Sequence, residues 1–318
     1  MTQQHKRRAV NGILLLDKPL EFTSNGILQK VRWLYQAQKA GHTGALDPLA
    51  SGLLPICFGE ATKFSQFLLD TDKTYQVSAR FGIRTDTSDA AGEVVSTRPV
   101  AFNQSQLEQA MQAFRGDILQ VPTMFSALKH QGQPLYKYAR QGITVPREAR
   151  PISIFRFELL ALRQSSEQNH VDFTEADFIV HCSKGTYIRT LIDDLGEALG
   201  CGAYVSALHR TQVGPFQAEA MQPLPKLETL AELCHQSRDF AVLDQLLLPL
   251  DAALHGLEAL TLSAEQQRRI AHGQSFSCDQ PDAEAVRLYS AEQQFLGIGK
   301  REQGELKPRR LLSTNKNL

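Results

Sequence analysis

Asp47 stands in the stretch Gly41-His-Thr-Gly-Ala-Leu-Asp-Pro-Leu-Ala-Ser-Gly52, directly before a proline. Asp-Pro ordinarily opens a turn, and a turn aspartate needs no chemistry to explain it. The setting here is apolar, with Ala45, Leu46, Leu49, Leu53 and Leu54 around the carboxylate. Burial penalises the charged form of a carboxyl unless a cation compensates. Arg189 is the candidate cation, just after Ser183-Lys-Gly-Thr-Tyr187 and near the start of a helical stripe. Its ordinary reading is a surface or capping arginine. If the two meet, the chemistry on offer is that of an oriented, ionised carboxylate.

Cofactor signatures are missing around this pair. There is no GxGxxG after a strand and no glycine-rich loop ending in Gly-Lys-Ser/Thr. Gly297-Ile-Gly-Lys300 lacks the following hydroxyl. No paired-histidine metal motif and no nucleophile elbow occur. The cysteines, Cys57, Cys182, Cys201, Cys234 and Cys278, are odd in number and form no CxxC pair. They therefore read as packing residues, not as a disulfide framework or a zinc site. No cofactor and no metal are expected.

The elements that must position these residues follow from periodicity. Residues 12–17 read as a buried strand. Thr23 or Ser24 caps a helix striped by Ile27, Leu28, Val31, Leu34 and Tyr35. Residues 41–59, broken by Gly41, Gly44, Gly52, Gly59, Pro48 and Pro55, show neither period and read largely as loop and tight turn. Tyr75, Val77, Ala79 and Phe81 alternate on one strand face. Leu107, Ala110, Met111 and Phe114 stripe a helix ended by Gly116. Segments 153–161 and 172–182 read as strands. Ile188, Leu191, Ile192, Leu195 and Leu199 mark a helix stopped by Gly200. Residues 226–250 are apolar, acidic and helical. From about 256 a Ser263-x-x-Gln266 capping box opens a short helix, followed by alternating runs. The mixture lacks a βαβ rhythm and favours an α+β fold.

The chain has 318 residues, with 34 basic and 34 acidic side chains. That length suggests about two domains, and the zero net charge argues against a histone-like binder. The charge is nevertheless segregated. Between 129 and 150, Lys129, Lys137, Arg140, Arg147 and Arg150 face only Glu148. Residues 300–310 hold Lys300, Arg301, Lys307, Arg309 and Arg310 against Glu302 and Glu305. The compensating acids lie largely elsewhere, including Glu228, Glu232, Asp239, Asp244, Asp251 and Glu258. A confined basic face is what a folded nucleic acid would meet. No window approaches the roughly 18–20 apolar residues of a membrane span, and the early run Ile13–Leu16 stops too soon for a signal core. A cytoplasmic protein without a membrane contact is expected.

At this point the chain resembles the TruB type of tRNA pseudouridine-55 synthases. The Gly41–Gly52 stretch and the following Leu53-Leu54-Pro55 resemble that family's catalytic motif. The likeness continues through Leu14-Leu-Leu-Asp-Lys-Pro19, Gly59-Glu-Ala-Thr-Lys63, Lys73-Thr-Tyr75 and Arg84-Thr-Asp-Thr-Ser-Asp89. It runs on through Tyr138-Ala-Arg-Gln-Gly142 and Cys182-Ser-Lys-Gly-Thr-Tyr-Ile-Arg-Thr-Leu191. Together these cover nearly the whole chain.

The resemblance implies a pseudouridine-synthase-like mixed β-sheet catalytic domain over 1–250, with a basic RNA-gripping insertion at about 121–151. It implies a small, mostly-β, PUA-like RNA-binding domain over 251–318. The implied reaction turns uridine into pseudouridine at position 55 of the tRNA T-arm loop, by base flipping, N1–C1′ cleavage and rejoining through C5. Asp47 then matches the essential aspartate, as nucleophile on the sugar or as base on a ribose proton. Arg189 matches its partner, and Tyr75 the tyrosine that stacks on uracil, a candidate for proton transfer. His42, Lys18, Tyr187 and Leu208 match substrate-binding positions. Lys129, Lys137, Arg140, Arg147, Arg150, Arg309 and Arg310 are the RNA-backbone candidates. The partner is tRNA and the protein is a monomer.

The chain departs from the family at His209, where a basic pair with Arg210 is commoner; this implies a weaker or pH-dependent RNA contact. The C-terminal match is confined to Gly273 and Lys307-Pro-Arg-Arg310. A reading from another class is an RNA-binding, tRNA-folding chaperone whose role does not need catalysis. A nucleoside hydrolase is disfavoured by the extent of the RNA-gripping surface.

Overall fold

The computed structural model of the chain describes residues 7–166 and 172–313. The first part of the chain gives β1 (Gly12–Lys18), α1 (Ser24–Leu34), β2 (Ala40–His42), β3 (Ala50–Phe58), α2 (Ser65–Leu69) and β4 (Lys73–Phe81). A small hairpin of β5 (Ile83–Thr85) and β6 (Val94–Thr97) follows, then α3 (Gln104–Gln112) and β7 (Gly116–Gln120). The basic segment carries β8 (Lys129–His130), β9 (Gln133–Pro134) and α4 (Leu135–Ala139). Next come β10 (Arg150–Ser166), β11 (Asp172–Cys182), α5 (Ile188–Ala198), β12 (Ala203–Val213), β13 (Phe216–Gln217), β14 (Gln222–Pro223), α6 (Leu224–Ser237) and α7 (Ala241–Asp244). The chain closes with β15 (Ala259–Thr261), α8 (Ala264–Ala271), β16 (Phe276–Ser277), β17 (Ala283–Tyr289), β18 (Phe295–Glu302) and β19 (Glu305–Leu311).

Ten strands form one mixed sheet in the order β14-β1-β3-β12-β4-β11-β10-β7, with β2 beside β3 and β13 beside β12. Most pairings are antiparallel, but β3 and β12 run parallel. The main core lies on the face covered by α1, α3, α5 and α6. It joins Ile27, Val31, Leu107, Leu191 and Leu195 to Val77, Phe81, Phe178 and Val205. β4 buries Tyr75, Val77, Ala79 and Phe81, as alternation requires. A second sheet, in the order β15-β17-β18-β19-β16, has its own core of Leu262, Ile270, Val286, Leu288 and Leu306. Ser263 caps α8 in the expected box with Gln266. No helix among the described residues is long and apolar enough to cross a membrane.

Two local expectations need correction. Residues 41–59 are not mainly loop, because Ala50–Phe58 is a strand near the middle of the large sheet. It is covered on both faces, so Leu53, Leu54, Pro55, Ile56, Cys57 and Phe58 are all buried and no alternation survives. Gly116 does not end α3. That helix stops at Gln112, and Gly116 opens β7 with φ +78.

The basic segment stands outside the main core, as its composition predicts. It is held by a small cluster of Met124, Leu135 and Val145, with Leu128, Tyr138 and Ala139 against it.

Candidate functional site

The loop bearing Asp47 is tied at several points. Ser24, at the start of α1, exchanges bonds with Leu46: its Oγ donates to Leu46 O at 2.9 Å and accepts from Leu46 N at 2.7 Å. Glu21 N donates to Pro48 O, and Ala50 N to Asp47 O. Arg210 donates from Nε to Leu53 O at 2.7 Å and from an Nη to Gly44 O at 3.1 Å. Thr23 caps α1 by accepting from Gly26 N. The Asp47 carboxylate is thus presented by α1, β3 and β12 together.

Register decides what stands near it. Lys18 pairs with Gly52, Gly52 with Arg210, Arg210 with Tyr75, and Tyr75 with Val180. One row therefore crosses the sheet from β1 to β11. Strands lie about 4.8 Å apart, so Lys18 and Tyr75 are separated by roughly 14 Å of backbone. Gly52 has φ +99, and a Cβ there would stand 2.3 Å from Arg210 O. Only glycine permits this close approach of the β3 backbone to Arg210 and to the His209 ring.

Arg189 and Asp47 meet, with Nε 2.9 Å from Oδ2. The guanidinium is nearly buried, whereas the Asp47 side chain is 42% exposed, so the carboxylate forms the accessible floor of the site. Arg189 has a second carboxylate that sequence reading did not single out. Its Nη1 lies 3.1 Å from Asp89 Oδ2 and donates to Thr87 O at 3.0 Å. Its Nη2 donates to Phe125 O at 2.8 Å. Asp89 is oriented in turn by Thr87 Oγ1 at 2.7 Å and Ala91 N at 3.0 Å. Arg189 thereby joins the Asp47 loop, the 84–89 turn and the root of the basic segment. Asp89 lies inside the quoted Arg84–Asp89 motif, which was the one available signal for it.

Electrostatics follow from this enclosure. Burial pushes the Asp47 carboxyl above its ordinary value, Arg189 opposes the rise, and Asp89 adds to it. Burial pulls Lys18 down to about 8, with Asp47 opposing and Arg210 reinforcing. Its Nζ donates to Pro19 O at 2.8 Å. Tyr75 is raised by burial while Arg210, to which it hydrogen-bonds, lowers it. Burial lowers His42, whose Nδ1 has no partner.

The remaining candidates divide. Tyr187 precedes α5 and is clamped by Gln120: Tyr187 N donates to Gln120 Oε1 at 2.8 Å, and Gln120 Nε2 donates to Tyr187 O at 3.1 Å. Burial raises its phenol, and Asp47 and Arg189 both act on it. Leu208 is buried on the same face of β12 as Arg210. His209 turns to the other face, where its Nδ1 is 2.9 Å from Ser51 Oγ. Lys129, Lys137, Arg140 and Arg150 are exposed. Arg147 is half-buried and donates to Pro122 O at 3.0 Å. Arg309 and Arg310 are exposed on β19, with Arg309 donating to Glu284 O at 2.6 Å. These last two stand on the second sheet, apart from the Asp47 loop.

Sequence patterns of known families match in three blocks. Residues 32–188 match the N-terminal domain of the TruB family of pseudouridylate synthases. Residues 189–255 match the tRNA pseudouridylate synthase B C-terminal domain, and 259–312 match the C-terminal part of pseudouridine synthase II TruB. The first division falls within the site, between Ile188 and Arg189, so it is not a structural boundary. The chain is 55% identical over 316 residues to tRNA pseudouridine synthase B of Haemophilus influenzae (strain PittEE), covering 98% of this chain and 99% of the relative. It is 54% identical over 319 residues to the protein of that name from Pasteurella multocida (strain Pm70), covering 99% and 100%. Among solved structures, an H/ACA RNP bound to a substrate RNA containing 2′-deoxyuridine matches with TM-score 0.69 at 22% identity, covering 94% of this chain and 84% of that one. A Cbf5–Nop10–Gar1 complex matches with TM-score 0.67 at 25% identity, covering 91% and 78%. The fold is that of the pseudouridine synthases, with a mostly-β, PUA-like C-terminal part.

Proposed function

The chain belongs to the TruB family of pseudouridylate synthases, and we propose that its target is the uridine at position 55 in the T-arm loop of tRNA. The enzyme isomerises uridine to pseudouridine in tRNA. The observation that carries the mechanism is the half-buried Asp47 carboxylate fixed 2.9 Å from a buried Arg189.

The bond between N1 and C1′ breaks, uracil turns, and C5 joins C1′; C5 loses its hydrogen and N1 gains one. Nothing is oxidised or hydrolysed. A nucleotide stacked inside RNA must leave the stack before its glycosidic bond can be reached. Breaking that bond develops positive charge on the sugar, as in glycoside cleavage. Asp47 acts there, by capturing C1′ or by removing a ribose proton. Either route needs the ionised carboxylate, and Arg189 favours that form while fixing its direction.

Tyr75 supplies the ring against which the flipped uracil stacks, Leu208 and Tyr187 close the pocket, and Lys18 supports the loop from beneath. His42 fills the space the base vacates. We take the protein to act as a monomer. We assign residues 1–250 as the catalytic domain and 251–318 as an RNA-binding domain, in a protein of the cytoplasm where tRNA is found.

The test is to map pseudouridine in bulk tRNA lacking this activity after treatment with the protein. A product at the single T-loop uridine is expected; modification confined to another arm overturns the assignment. The basic segment is tested by salt. If Lys137 and Arg140 contact phosphates, each change to Ala reduces the slope of log affinity against log salt by about one unit. An unchanged slope places the RNA elsewhere.

A further inference from the structure

The Gly59-Glu-Ala-Thr-Lys63 motif takes no part in the site around Asp47. It folds as a tight 3-10 turn, Gly59–Phe64, directly after β3. Gly59 has φ +51, and a Cβ there would stand 2.2 Å from Asn11 Oδ1. That same oxygen accepts from Glu60 N at 2.8 Å, which fixes the start of the turn.

From this turn, two side chains reach the end of β19 in the second sheet. Lys63 Nζ donates to Glu60 Oε2 at 2.7 Å, to Leu311 O at 3.0 Å and to Ser313 Oγ at 2.7 Å. An ammonium has three donors, and all are engaged. Glu60 Oε2 also accepts from Ser313 N at 2.5 Å. Burial alone would raise the Glu60 carboxyl, but the bonds from Lys63 and Ser313 outweigh it and hold the group below its ordinary value.

An apolar seam backs this clasp. Phe64 packs edge-on against Phe295 with ring centroids 5.4 Å apart, beside buried Leu254, Ile298 and Leu312. Arg309 and Arg310 immediately precede the clasped residues. With Ile298, Lys63, Phe67 and Asp70 they line a cleft of about 270 Å³. Asp70 pairs at 2.7 Å with Lys184, in the loop that leads to Tyr187 and Arg189.

We propose that Glu60 and Lys63 are positioning residues, clasping the end of β19 so that Arg309 and Arg310 meet the tRNA backbone from a fixed place beside the Lys184 loop. This rests on the reading of those arginines as backbone contacts. It does not depend on which uridine is modified, so mapping the product tests that part separately. Without the clasp the arginines keep their charge but lose their register with the catalytic part, so affinity falls while the chemical step does not.

The test cuts the clasp from both sides in the full-length protein. Glu60→Ala removes the oxygen that accepts from Lys63 and from Ser313 N, and Ser313→Pro removes both that N–H and the hydroxyl that accepts from Lys63. Each is compared with Arg309→Ala/Arg310→Ala, and folding is checked by thermal denaturation. In either clasp variant tRNA affinity is expected to weaken about tenfold at about 0.1 M salt, with the log–log salt slope reduced by about two units and single-turnover rate unchanged. Adding either cut to the double arginine variant is expected to produce no further loss of slope. A slope that matches the wild type, effects that add, or a fall in the single-turnover rate overturns the proposal. A merely structural role would lower the melting temperature without moving the slope.

Discussion

Asp47→Asn is expected to abolish pseudouridine formation while leaving the fold and tRNA binding intact. Asparagine keeps the shape of the side chain but cannot ionise, so it can neither capture the sugar nor accept a ribose proton. Removing a group that reacts directly typically costs at least about 10⁴-fold in rate. Stability should change little, because Arg189 retains Asp89, Thr87 O and Phe125 O and no buried charge is left unpaired. A shift within about 1 kcal/mol, or roughly 2–4 °C in melting temperature, follows. Quantifying pseudouridine in tRNA, beside binding and thermal denaturation, checks all three. Normal turnover by this variant would sink the catalytic assignment. The same protein also separates the two functional readings. If it still promotes refolding of tRNA, a chaperone role stands beside catalysis; if refolding disappears with turnover, that role fails.

Arg189→Met should behave differently, losing both activity and stability. The guanidinium answers Asp89, whose side chain is only 4% exposed. Methionine leaves that carboxylate buried without its cation and strips donors from two backbone carbonyls. Breaking a buried pair in this way costs about 3–5 kcal/mol, so the melting temperature should fall by on the order of 10 °C. Activity is lost because Asp47 no longer has a fixed direction or a nearby positive charge. Arg189→Lys is not expected to restore it, since one ammonium cannot serve partners spread along a planar fork. Adding Asp89→Asn to Arg189→Met should recover much of the stability and none of the activity, because the uncompensated charge is removed while Asp47 stays unpartnered. Thermal denaturation of the single and double variants is the measurement. An Arg189→Met protein as stable as the wild type would contradict the ion-pair account.

The kinds of element and the chemistry available are legible in the order of residues. Alternation marked β4, helical stripes marked α1 and α5, and Ser263 with Gln266 marked the start of α8. An apolar setting around Asp47 called for a cation, and the segregation of basic residues pointed to a confined binding face despite zero net charge. These are local properties, written in neighbouring residues or in composition. β3 escaped because a strand buried on both faces loses the period by which a strand is recognised.

Which distant residues meet depends on the folded arrangement of the strands. Asp89 faces Arg189 across 100 positions, and Arg210 reaches the Asp47 loop through parallel pairing with Gly52. The Lys18–Gly52–Arg210–Tyr75 row depends on the register of four strands. A shift of one residue in any of them would turn its side chains to the opposite face. The Gly59–Lys63 motif likewise has no legible task until β19 is folded against it. Strand order and register arise from the global packing of two faces of a sheet, and no short-range pattern records them.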